Sequence, residues 1–157
     1  MKDHRQAIDR RLSSLFGRRR FGIKLGLDIE QAILKELGSP QQAYGVVHVA
    51  GTNGKGSVCA FLAAILEACG LRVGMYSSPH LVRFHERFRV DGETIDDDEL
   101  GRVLDAVESA VDHVQREAGR EATFFEVATA MAFEHFRRRG VHVAVIETGL
   151  GGRFDAT

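Results

Sequence analysis

The run Val46-Val-His-Val-Ala-Gly-Thr-Asn-Gly-Lys-Gly-Ser57, which leads into Val-Cys-Ala-Phe-Leu-Ala-Ala-Ile-Leu, has the chemistry of a polyphosphate site. A β-branched strand breaks at glycines, a lysine follows, and an apolar helix begins. Several backbone N–H groups and one ammonium are thereby gathered around one concave spot at the positive end of a helix. Gly51, Gly54 and Gly56 let the backbone turn and approach an anion closely. Lys55 is the expected point charge for the terminal phosphates, and Ser57 is expected to cap the helix or face a metal. The spacing departs from the common phosphate-loop pattern. Two residues rather than four separate Gly51 from Gly54, and Gly56 stands between Lys55 and Ser57. The competing interpretation is a plain glycine turn with Lys55 exposed; the flanking strand and helix favour ATP.

Other residues bear on the same chemistry. Glu147 follows an apolar strand, where a carboxylate suits Mg²⁺; pairing with an arginine such as Arg153 is the alternative. Ser78, next to Pro79, offers a hydroxyl ligand or serves a turn. His80 and His85 are loop histidines that either reach the nucleotide or stay exposed. Glu126 follows Thr123 by three residues, so a capping box competes with ligand binding. Gly151 and Gly152 make a turn or let a flat substrate approach the backbone.

The elements that must position these groups alternate in type. Helices are expected over Gln6–Phe16, over Asp28–Leu37 with Asp28 as cap, over Ser57–Ala68, from Asp96-Asp97-Asp98 onward, and over Phe125–Arg138. Strands are expected over Val46–Ala50, Arg72–Tyr76 and Val141–Ile146. Glu86–Val90 and Glu93–Ile95 form a hairpin about Asp91-Gly92. This order predicts an α/β fold with a mostly parallel sheet, helices on both faces and a P-loop nucleotide-binding domain. The phosphate loop, the Ser77-Ser-Pro-His80 loop and the Glu147-Thr-Gly-Leu-Gly-Gly152 loop each follow a strand, so all three converge on one sheet edge.

At 157 residues the chain fits one domain, and 44% hydrophobic with 27% charged residues is ordinary for a soluble protein. A net charge of −1 argues against a general nucleic-acid binder, and Arg18–Arg20 and Arg137–Arg139 read as solvated faces. Cys59 and Cys69 have no metal spacing and are expected to be free buried thiols. No run approaches the roughly 18 apolar residues of a membrane span. The polar N-terminus has no signal-peptide core, so a cytoplasmic location is expected.

Gly51-Thr-Asn-Gly-Lys-Gly-Ser57, Ser78-Pro-His-Leu81, Phe125-Glu126 and Glu147-Thr-Gly-Leu-Gly-Gly-Arg-Phe-Asp-Ala-Thr157 occur in this order. Together they resemble the folylpolyglutamate synthase and dihydrofolate synthase family, within the superfamily of muramyl-peptide ligases. The resemblance runs from about Phe21 to the end. It implies ATP binding by Thr52, Asn53, Gly54 and Lys55, continued by Gly56 and Ser57, with Lys55 catalytic and Ser78 and Glu147 as Mg²⁺ ligands. It also implies pterin contacts from Lys24, Leu25, Gly26 and Leu27, from Thr123, Phe124, Phe125 and Glu126, and from Phe154, Asp155 and Ala156. The Asp155 carboxylate would accept two N–H bonds from the ring. Lys24 stands where an acidic residue can occur, and Thr148 where valine is frequent.

The implied reaction joins L-glutamate to dihydropteroate, to reduced folates or to both, through an acyl phosphate at the cost of ATP, with no nucleic-acid or membrane partner. Family members are much longer. The chain is therefore expected to be the truncated N-terminal part of the ATP-binding domain, with little activity alone, while further metal and glutamate-binding groups lie elsewhere. A muramyl-precursor ligase and a non-catalytic nucleotide-binding or interaction module are the alternatives.

Overall fold

The computed structural model describes residues 2–17, 27–152 and 155–157. Strands β1 (Gly45–Val49), β2 (Val73–Tyr76), β3 (Phe88–Val90), β4 (Glu93–Thr94) and β5 (Val143–Glu147) form one sheet in the order β1-β5-β2-β3-β4. β5 pairs in parallel with β1 on one side and β2 on the other, so Val143 faces both Gly45 and Val73. β3 runs antiparallel to β2, and β4 antiparallel to β3. The expectation of a mostly parallel sheet is thereby corrected: the sheet is mixed. The two-residue turn Asp91-Gly92, with φ of 51° and 77°, can join only antiparallel strands. Asp91 also anchors this hairpin to the start of β2, since its Oδ1 accepts from the Val73 N–H at 2.9 Å and its own N–H donates to Val73 O at 2.9 Å.

Helices cover both faces. α3 (Lys55–Ala68) lies on one, packing Cys59 and Ala63 against Val73 and Val145. On the other face α5 (Phe124–Arg139) meets the sheet, and α1 (Lys2–Gly17), α2 (Asp28–Glu36) and α4 (Asp97–Ala118) pack around it. The alternation of β5 makes this possible: Val143 and Val145 point to α3, Ala144 and Ile146 to the larger core. Asp96 caps α4 by accepting from the Glu99 N–H at 2.7 Å. Asp28 does not cap α2, because Leu27 occupies that position and Asp28 is already helical. Cys59 is buried as expected, but Cys69 is exposed just past the end of α3. No helix among the described residues is long and apolar enough to cross a membrane.

Gly74 fixes how closely α5 approaches β2. A Cβ there would stand 2.7 Å from Phe136 Cδ1, and Phe136 is fully buried with nowhere to move. Gly74→Ala is therefore expected to cost about 1–3 kcal/mol, read as a lower denaturation midpoint at unchanged m-value.

The α4–α5 contact contains a buried polar knot. Burial pushes Glu99 upward, but hydrogen bonds from Arg138 and Arg102, both 2.9 Å, outweigh it and hold its carboxylate below the ordinary value. His135 lies nearby with Nδ1 3.8 Å from Glu99, and burial lowers it to about 4 against the partial support of that carboxylate. Above pH 6.5 His135 is neutral in both native and unfolded chains. Between 6.5 and 4 only the unfolded chain takes the proton, so stability falls as pH falls through that window. The expected loss is on the order of 3 kcal/mol, checked by chemical denaturation at a series of pH values; a flat profile from His135 would contradict it.

Candidate active site

Because β1, β5 and β2 are parallel neighbours, their carboxyl ends Val49, Glu147 and Tyr76 lie side by side, and the three loops that follow meet. Thr148 N–H donates to Val49 O at 3.0 Å, tying the β5 loop to the end of β1. Ser78 N–H donates to Glu147 Oε2 at 3.0 Å, tying the β2 loop to the same carboxylate. On its other side Glu147 faces the phosphate loop. Both its oxygens lie 3.7 Å from where a Cβ on Gly56 would stand, an ordinary contact distance, so the carboxylate rests against the first turn of α3. The expected convergence holds.

The phosphate loop is open. Thr52, Asn53, Gly54, Gly56 and Ser57 are exposed, and Lys55 is half-buried with Nζ donating to Gly51 O at 3.0 Å. Gly54 adopts φ 77° and forms the N-cap of α3, so the helix begins at Lys55 rather than at Ser57. Ser57 accordingly does not cap the helix. It sits in its first turn, where free N–H groups and the helix dipole favour an anion.

Glu147 is 7% exposed. Oε2 accepts from Ser78, while Oε1 receives no hydrogen bond from the described residues. A carboxylate oxygen beside a serine loop and a phosphate cradle offers hard oxygen donors of the kind that suit Mg²⁺. Ser78 and Glu147 would hold it. Arg153, the alternative partner for Glu147, lies outside the described residues. Beneath them Cys59 is pushed up to about 11 by burial and then by Glu147, so its thiol is inert.

The proposed pterin residues divide into frame and surface. Thr123 and Glu126 form the capping box of α5: Glu126 Oε2 accepts from Thr123 N–H at 2.6 Å and Thr123 Oγ1 from Glu126 N–H at 3.2 Å. Glu126 Oε1 also takes a hydrogen bond from Arg120 at 3.1 Å. Phe124 is buried, stacked on Phe16 at 5.2 Å with the Arg87 guanidinium 5.2 Å from its ring. Phe125 instead turns toward the site, its Cζ 2.5 Å from where a Cβ on Gly149 would be, so only glycine admits the ring there. Asp155 is buried, but its carboxylate accepts from its own loop: Leu150 N–H at 2.6 Å on Oδ2, and Thr157 N–H at 3.1 Å on Oδ1. Ala156 and Thr157 are half-buried, and Thr157 Oγ1 lies 2.8 Å from His48 on β1. Leu27 stands at the start of α2; Lys24, Leu25, Gly26 and Phe154 lie outside the described residues.

Both loop histidines have side-chain partners, and neither is fully exposed, His80 being half-buried and His85 buried. His80 Nδ1 accepts from Arg87 Nε at 2.9 Å, and His85 Nε2 lies 2.7 Å from Asp97. Two groups were missed in the sequence. Glu86 accepts from the N–H groups of Leu81, Val82 and Arg83, which pull it below its ordinary value and lock the loop after Ser78. Glu30 on α2 is 3% exposed. Its place on the apolar face, three and four residues before Ile33 and Leu34, was the available signal.

No family model matches the chain. Curated relatives do. A Bacillus subtilis dihydrofolate synthase/folylpolyglutamate synthase is 39% identical over 146 residues, 92% of this chain and 34% of that protein. A Lacticaseibacillus casei folylpolyglutamate synthase is 46% identical over 126 residues, 80% of this chain and 29% of that protein. The solved folylpolyglutamate synthase from Thermotoga maritima superposes with a TM-score of 0.90 at 40% identity, covering 98% of this chain and 35% of its own. The chain thus spans about a third of the length of these relatives. Nearly all of it is matched in both sequence and fold, cradle included, and the chain belongs to the folylpolyglutamate synthase/dihydrofolate synthase family.

Proposed function

We propose that this chain is the ATP- and pterin-binding part of a longer ligase that joins L-glutamate to dihydropteroate, to reduced folates or to both. The observation that carries it is the meeting of Gly56, Glu147 and Ser78 at the ends of three parallel strands. Relatives have been solved with the corresponding ligands: an E. coli FolC in complex with DHPP and ADP, and a bifunctional folylpolyglutamate synthase/dihydrofolate synthase with Mn, AMPPNP and L-glutamate.

In the reaction, the substrate carboxylate attacks the γ-phosphate, forming an acyl phosphate and releasing ADP. The amino group of glutamate then attacks the acyl carbon, phosphate leaves, and an amide remains. The residues of this chain serve the first step. N–H groups at the start of α3 hold the phosphates, and Lys55 leaves Gly51 O to neutralise charge that builds on the transferred group. Magnesium held by Ser78 and Glu147 would add electrostatic stabilisation of the phosphates when bound. Phe125 gives an apolar wall for a flat ring, and Asp155 ties Leu150 to Thr157 through its carboxylate. Groups for the glutamate step would come from further chain, so these residues alone would have little ligase activity.

The test is product formation by the full-length ligase. Incubation with Mg-ATP, L-glutamate and dihydropteroate is expected to yield ADP, phosphate and the glutamyl amide in equal amounts, identified by mass. ATP turnover that ignores dihydropteroate and folates, or the absence of an amide, would reject the proposal.

A further inference from the structure

Among the described residues, one buried acid has both carboxyl oxygens without a hydrogen-bond partner. It is Glu30, on the first turn of α2 and 3% exposed. The two acids whose charges reach it are engaged. Glu126 is tied to Thr123 and Arg120, and Asp155 to Leu150 and Thr157. Leaving a buried carboxyl unsatisfied is costly, and such a group in a native fold calls for an occupant. The three acids are not a metal centre, for no group of three histidine, cysteine or acidic side chains among the described residues is placed to hold an ion.

Electrostatics locate Glu30 among these groups. Burial pushes it well above the ordinary carboxylate range, and the nearby charges of Glu126 and Asp155 add to the rise. The buried Tyr76 hydroxyl, raised first by its own burial, also feels Glu30. Glu30 therefore lies within reach of the charges of Glu126, at the N-terminus of α5, and of Asp155, on a helix, α2, that packs directly against α5. Such surroundings favour the neutral acid, which offers one O–H donor and one carbonyl acceptor side by side. Its complement is an edge that presents one donor and one acceptor, as an N–H beside a carbonyl, or a ring nitrogen beside an amino group, on a fused nitrogen heterocycle.

We propose that Glu30 is a specificity-determining group that pairs with the mixed donor–acceptor edge of the heterocycle on the acid substrate, seated between α2, Phe125 and the Asp155 loop. This assignment rests on the proposed pterin substrate and adds a contact to it.

The experiment uses the full-length ligase and its Glu30→Met, Glu30→Ala and Glu30→Gln variants, with dihydropteroate and ATP affinities measured by titration and melting temperature recorded for each. Met keeps the volume without polar atoms, Ala is the second apolar variant should Met not fold, and Gln keeps one donor and one acceptor. The apolar variants are expected to bind dihydropteroate weaker by about tenfold or more, with Gln within about threefold of wild type. ATP affinity should be unchanged, and melting temperatures equal or higher because a buried unpaired carboxyl has been removed. A merely structural Glu30 would move the melting temperature and leave dihydropteroate affinity alone. Wild-type affinity in the apolar variants, or a loss in Gln as large as in Met, overturns the assignment. A wild-type ligase that binds ATP but no pterin acid would instead overturn the substrate class.

Discussion

Replacing Lys55 with alanine lowers kcat/KM for ATP by about two to three orders of magnitude in the full-length ligase. Lys55 opens the helix that follows the phosphate turn, and its Nζ is held at the loop by Gly51 O, 3.0 Å away. That hydrogen bond carries charge on the donor alone, whereas a bond to a phosphate oxygen pairs opposite charges and is stronger, so Nζ is expected to move onto the phosphate. The backbone N–H groups of the α3 N-terminus survive the substitution, so binding weakens less than turnover. Stability should hardly change because the side chain makes no buried ion pair. A loss below about tenfold in steady-state assays would mean that Lys55 does not meet the transferred phosphate.

Glu147→Gln is expected to reduce turnover at least as much, by about a hundredfold or more, and to raise the Mg²⁺ concentration needed for half-maximal rate. Glutamine keeps the shape and can still accept from Ser78 N–H, so the loops should stay in register and the melting temperature within a few degrees. What is lost is the negative charge, on a side chain 7% exposed and in contact with Gly56. An unchanged Mg²⁺ requirement would separate Glu147 from the metal and leave it as a loop tie.

Much of this site was legible in the sequence because its parts are local. Gly51 to Lys55 lies between a β-branched strand and an apolar helix, and the loops after β2 and β5 each follow a strand of a parallel trio. Once those strands are adjacent, the rule that ligands gather at their carboxyl ends does the rest. The capping box of Thr123 and Glu126 was legible for the same reason, its partners being three residues apart. What escaped depends on pairing over long separations or on sterics. Nothing local says that β3 docks antiparallel on β2, which made the sheet mixed. Nor does it say that Gly149 must stay bare for Phe125, or Gly74 for Phe136. Ser57 was misplaced as a cap because Gly54, in the left-handed region, starts the helix earlier. Glu30 was passed over because a charged residue on the second helix reads as solvated until its burial is seen.

The central claim is tested most directly by a crystal structure of the full-length ligase with Mg²⁺ and a non-hydrolysable ATP analogue. The expected result places the β- and γ-phosphates in the Gly51–Ser57 turn, Lys55 Nζ moved from Gly51 O onto phosphate, and a metal ion bound by Ser78 and Glu147 between loop and sheet. Phosphates bound elsewhere, or a metal held without Glu147, would contradict it.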